Sequence, residues 1–182
     1  MPAPRETLTP RTSRSLWPHS TSLEVLHLHV TARGTAHGKA PAAPPKAVLP
    51  ETSPEEQYKF AISFLKVGDY ETAEFALKEF IEKNKDHDLA GNAQYWYGET
   101  FRIRQLYQDA ASAYLDAYQK YPNSSKAPIN LLKLGTMLVQ IGEKEQGCNM
   151  IIGVKEQYPQ ANQSVIQKAE YEKKKFSCKK KS

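Results

Sequence analysis

The stretch YKFAISFLKVGDYETAEFALKEFI (58–81) reads as two amphipathic helices in succession. Phe60, Ile62, Phe64, Leu65 and Val67 form an apolar run that ends at Gly68. Asp69 then opens a second run with Tyr70, Ala73, Leu77, Phe80 and Ile81. The glycine ends the first helix and the aspartate caps the second, which predicts an antiparallel hairpin. Just upstream, Ser53, Pro54, Glu55 and Glu56 supply a capping serine, a proline at the first helical position and a glutamate that reaches back, so the first helix is expected to start at Pro54.

The same pattern returns twice at a spacing of 37 residues. With Gly68, Gln105 and Gly142 in one column, the neighbouring columns read Phe60, Tyr97, Leu134; Ala61, Gly98, Gly135; and Phe64, Phe101, Leu138. Downstream come Ala73, Ala110, Gly147; Leu77, Tyr114, Ile151; and Lys85, Pro122, Pro159. Small side chains recur where two helices must cross closely, so Ala61, Gly98 and Gly135 are expected to meet Ala73, Ala110 and Gly147. Helix hairpins with small and aromatic positions in this order resemble tetratricopeptide repeats, with extra residues lengthening the turn between copies. The expected fold is an all-α solenoid of three helix hairpins, about 54–88, 91–125 and 128–161, closed by a capping helix over 162–176. Val165, Ile166, Ala169 and Phe176 give that last helix one sparse apolar stripe.

The 182-residue chain has room for about one ordinary domain. Residues 1–53 are rich in Pro, Ser, Thr, Arg, Ala and Gly and read as a disordered arm. Within it, Leu23–Val30 alternates like a strand but has no partner, and His27 and His29 interrupt any secretory signal core. The arm carries six Lys/Arg against three Asp/Glu, residues 54–167 carry twelve against fifteen, and residues 168–182 carry seven against two. The body is therefore mildly acidic between two basic ends. Nucleic-acid binding is not expected, because the positive charge lies outside the repeats. The basic tail, 177–182, together with Lys173, Lys174 and Lys175 before it, is expected to be solvated. No apolar run approaches the ~20 residues of a membrane span.

Chemistry finds little purchase. Neither G-x-x-x-x-G-K-[ST], G-x-G-x-x-G nor H-E-x-x-H occurs, and no catalytic residue, metal or cofactor is expected. Glu71 and Glu74, and Glu79 and Glu82, stand at helical spacing but read as solvated faces. His87 is expected to be exposed between the first two repeats. Cys148 lies in an apolar helical pattern and reads as a small core residue, whereas Cys178 sits among lysines and is expected to be exposed. Two such cysteines make no disulfide framework.

A surface is what remains. The first helices should line the inner side of the stack, with outward positions Glu55, Asn92, Ile129; Tyr58, Tyr95, Leu132; Ile62, Glu99, Thr136; and Leu65, Arg102, Val139. Tyr58, Asn92, Tyr95, Trp96, Glu99 and Arg102 form the candidate partner-binding groove, since Tyr, Trp and Arg bury large area and keep polar ends. The alternative is that Tyr95 and Trp96 pack between repeats. Exposure separates the two.

The runs AQYWYGE (93–99), YPNSSKAP (121–128) and LLKLG (131–135), within the matching stretches 58–81, 92–128 and 131–159, resemble the C-terminal repeat domain of the YbgF/CpoB family, the Tol-Pal-associated cell division coordinators. The resemblance implies a non-enzymatic periplasmic adaptor of Gram-negative-type bacteria. Its implied partners are the inner-membrane protein TolA and a bifunctional penicillin-binding protein, linking septal peptidoglycan synthesis to outer-membrane constriction. The heptads of the family's usual trimerising coiled coil are not found in residues 1–53. Two rivals are an outer-membrane assembly lipoprotein-like scaffold, which would carry a lipidated cysteine near its start, and an accessory domain of a cell-envelope glycan enzyme, which would need an acidic pair in a cleft.

Overall fold

The computed structural model describes residues 47–179. Most of the arm, with Leu23–Val30, His27 and His29, and the end of the basic tail lie outside the described residues. Among the described residues are seven helices and no strand: α1 Pro54–Lys66, α2 Tyr70–Lys83, α3 Ala90–Ile103, α4 Tyr107–Lys120, α5 Ala127–Gln140, α6 Lys144–Gln157 and α7 Gln163–Lys175. Each packs on the next, and α1 also touches α3 as α5 touches α7, so the first helices of the hairpins lie side by side. This is an all-α solenoid of helix hairpins. The element α7 takes the place of a fourth first helix.

Local chemistry sets the boundaries. The Ser53 hydroxyl accepts from the Glu56 N–H with Pro54 behind it, and the Asp69 carboxylate accepts from the Thr72 N–H. At the hairpin turns Gly68, Gln105 and Gly142 adopt φ of 80°, 62° and 93°, so the column aligned by sequence is a column of left-handed residues. Each turn closes with the same bond: Asp69 N–H to Phe64 O, Leu106 N–H to Phe101 O, and Glu143 N–H to Leu138 O, at 2.9, 3.0 and 2.8 Å. The end of α7 repeats the device, with Ser177 at φ 53° and the Cys178 N–H on the Lys173 carbonyl. Gln105 bears a side chain where its two counterparts are glycines. Gln105→Gly is expected to stabilise the chain by about 0.5–1 kcal/mol, because the left-handed strain on Cβ is removed at an exposed position. A urea melt with an unchanged m-value and a lower midpoint would contradict this.

The small-residue columns are buried: Ala61, Ala73 and Ala110 are fully inaccessible, and Gly98, Gly135 and Gly147 are buried with them. In the third hairpin the crossing is backbone on backbone. A methyl on Gly147 would come within 2.6 Å of the Gly135 carbonyl oxygen, and one on Gly135 within 2.8 Å of the Gly147 oxygen. The second hairpin solves the problem differently from the expectation. Gly98 makes room for the Tyr114 ring, which a methyl would meet at 2.6 Å.

Three expectations are corrected. Cys148 and Cys178 form a disulfide, and Cys178 is buried rather than exposed, because the turn after α7 folds the chain back onto α6. Order begins before Ser53: the Glu79 carboxylate accepts from the N–H groups of Val48 and Leu49 at 2.7 and 3.2 Å, and Leu49 enters the core of the first hairpin. Phe60, placed in a core column, is 37% exposed, since among the described residues no earlier hairpin covers that side of α1.

Candidate functional site

The face made by α1, α3, α5 and α7 holds the residues singled out from sequence. Tyr58 from α1 is half-buried, stacks at a tilt on Phe80 with centroids 5.7 Å apart, and has the Trp96 side chain as a hydrogen-bonding neighbour. Tyr95 and Trp96 are adjacent on α3 and meet edge to face at 5.0 Å. Both are half-buried, so they pack between hairpins and still present surface. Burial, helped by the negative charge of Glu99, pushes the Tyr95 hydroxyl up to about 12, so it stays a neutral donor at any physiological pH. Asn92 accepts from the Ser125 hydroxyl at 3.2 Å at the rim.

Glu99 does not point into solvent. It is 4% exposed, and its carboxylate is the centre of a polar cluster. One oxygen accepts from Arg102 Nε and Nη2 at 2.9 and 2.6 Å, the other from the Tyr114 hydroxyl and from Lys133 Nζ, the last at 2.9 Å. The reason lies one residue away: Gly98 admits the Tyr114 ring, and the ring's hydroxyl then lies beside Glu99. Burial works to raise the Glu99 carboxyl, but Arg102, Tyr114 and Lys133 together outweigh it and hold it below the usual carboxylate range. Lys133 moves the other way from a well-paired lysine. Burial lowers it more than Glu99 restores it, because that carboxylate is shared with Arg102 and because Lys168 stands nearby. Arg102 is one-third exposed and lies near enough to Tyr95 for its charge to act on the phenol.

Leu132, also assigned outward, is 1% exposed and belongs to the core; its neighbour Lys133 takes the inner face instead. Tyr114, Lys126 and Lys133 were missed. Lys126 lies over the Tyr95 ring at 5.2 Å. A signal for Lys133 was present in the repeat, where Lys59, Trp96 and Lys133 share one column. Tyr114 was hidden by its place in the apolar column Leu77, Tyr114, Ile151.

Elsewhere the chemistry is sparse. His87 is partly covered and pairs with Glu55 at 3.1 Å. Among the described residues no three His, Cys, Asp or Glu gather as metal ligands, and no helix is long and apolar enough to cross a membrane. Burial pushes the Glu74 carboxyl up against the pull of Arg104, to which it is bonded. A depression of about 500 Å³ between the later inter-repeat turns is lined by Pro122, Ser124, Gln157 and Tyr158, among others, and no carboxyl lines it.

No curated protein matches the chain. Residues 58–125, the first two hairpins, match the family model described as tetratricopeptide repeat. The match and the recurring hairpin geometry together support a tetratricopeptide-repeat domain, a fold that typically serves as a non-catalytic scaffold for protein interactions.

Proposed function

We propose that this chain is a protein–protein interaction adaptor whose inner helical face holds a segment of a partner. The observation that carries the reading is the strip of half-buried Tyr58, Trp96 and Tyr95 on neighbouring first helices, with the one-third-exposed Arg102 near Tyr95. Such residues bury large area while offering polar ends, and a groove between helices suits an extended or helical peptide. In this reading Arg102 contacts the partner directly and Glu99 acts through it, holding the guanidinium in place. Asn92 adds an amide at the rim.

The finer assignment is a periplasmic adaptor that links the Tol-Pal system, through a TolA-like inner-membrane protein, with septal peptidoglycan synthesis by a bifunctional penicillin-binding protein during cell division. Two things support it. The runs at 93–99, 121–128 and 131–135 resemble the YbgF/CpoB repeat domain, and the Cys148–Cys178 disulfide suits an oxidising compartment. An outer-membrane assembly scaffold shares the fold but would need a lipidated cysteine, and both cysteines here are in the disulfide. For a glycan-enzyme accessory domain the nearest feature is Glu74, whose carboxyl is bound by Arg104.

Affinity for a TolA fragment, measured by calorimetry, is expected to fall about tenfold or more with Tyr95→Ala and with Arg102→Ala, as for central aromatic and arginine anchors. Unchanged affinity in both variants would remove this face from the adaptor reading. Fractionation of the native host should release the protein with the periplasm.

A further inference from the structure

The charges at the centre of the inner face do not balance. Arg102 and Lys133 share the single carboxylate of Glu99, Lys168 from α7 stands close enough to Lys133 to disfavour its charge, and Lys126 covers one side of Tyr95. Two cations thus share one buried anion, with a third beside Lys133 and a fourth over the Tyr95 ring. Lys133 is mostly withdrawn from water and so loses solvation without gaining a carboxylate of its own. A second anion placed there would meet a guanidinium and an ammonium already fixed by Glu99, with little ordering left to do. From there Tyr95 leads on to Trp96, which it meets edge to face, and Trp96 to Tyr58, so the three rings extend the cluster as apolar surface.

We infer that the centre of the inner face is a cationic subsite for an acidic peptide segment of the partner, with a carboxylate seated between Arg102 and Lys133 and apolar side chains against Tyr58, Tyr95 and Trp96. This rests on the inner face being the partner site. The occupant is not this chain's own ends. Residues 1–46 carry six Lys/Arg and two Asp/Glu, and residues 180–182 are Lys180, Lys181 and Ser182, so both ends would meet the subsite with like charge.

The probe is the peptide acetyl-Leu-Glu-Glu-Leu-Glu-Glu-amide, with the counterpart in which every Glu is Gln, titrated into the full chain and followed by the Arg102 side-chain N–H and the Trp96 indole N–H signals in NMR. Saturable shifts are expected with the Glu peptide and at least about fivefold weaker binding with the Gln peptide, the difference disappearing between about 50 and 500 mM salt. Lys168→Glu, an exposed change that leaves the Glu99 bonds untouched, is expected to weaken the Glu peptide about fivefold or more and to spare the Gln peptide. Equal binding of the two peptides, no shift at millimolar peptide, or shifts confined to Lys173–Lys179 would overturn the subsite. Shifts at Arg102 and Trp96 on raising protein concentration alone would assign the face to a second copy instead. If a TolA fragment loses affinity with Tyr95→Ala yet ignores Lys168→Glu and salt, the acidic preference fails while the adaptor reading stands; if it ignores Tyr95→Ala and Arg102→Ala as well, both fail.

Discussion

Replacing Cys148 and Cys178 together by alanine is expected to lower the stability of the α6–α7 end by about 3–4 kcal/mol, the chain entropy regained when a loop of 30 residues is no longer closed. The effect falls on α7 because that helix has little else to hold it: Ala169 is its one buried residue, Val165 and Ile166 are only partly covered, and its last turn is glutamate and lysine. In a stacked array each element depends on its neighbours, so loss of α7 also uncovers Ile151 and Ile152 on α6. Thermal melts of the oxidised chain with and without dithiothreitol, and amide exchange resolved by helix, provide the check. Protection in α7 should vanish first while α3 and α4 keep theirs. Identical exchange in oxidised and reduced protein would mean that packing alone holds the cap.

Glu99→Ala is expected to cost about 3–5 kcal/mol, as for the removal of one member of a buried charge cluster. The loss is large because three groups are stranded at once: the Tyr114 hydroxyl, fully buried, the mostly buried Lys133 ammonium, and the inner edge of Arg102. Glu99→Gln keeps an acceptor for Tyr114 and should cost about 1–3 kcal/mol. The same residue gives the wild type an acid-sensitive term. Because the folded carboxyl sits below its unfolded value, its stabilisation is complete above the unfolded pKa, about 4.3, and is lost as pH falls through the lower folded value. Chemical denaturation at pH 7 and below pH 4 should therefore show Glu99→Gln converging on the wild type in acid. A gap that stays constant with pH would show that the ionised form contributes nothing.

These two sites mark where sequence reading stopped. The hairpins were legible because their determinants are local: a proline and a capping serine start α1, a left-handed column ends each first helix, and small residues recur at fixed spacing. Gln105 could be aligned with two glycines even though its side chain disguises the turn. The disulfide was not legible, since the two cysteines lie on different elements and only the fold of the last turn after α7 brings them together. Glu99 was recognised as a residue of the right helical face but given the wrong exposure. Its burial comes from Tyr114 and Lys133 on α4 and α5, and helical periodicity says nothing about a neighbour's reach. Leu49 was invisible for a similar reason: a proline-rich stretch is read as a spacer until Glu79 on α2 is found to hold its backbone.

The fastening of Val48 and Leu49 gives the array a direction in which it unravels. Among the described residues one end is riveted by a covalent bond, whereas the other is buttoned by the Val48 and Leu49 N–H groups on Glu79, the Gln57 amide on the Pro50 carbonyl, and the side chains of Val48 and Leu49. An oxidised chain under thermal or mechanical load should thus unzip from its amino-terminal hairpin toward the cap, and reducing agent should reverse the order.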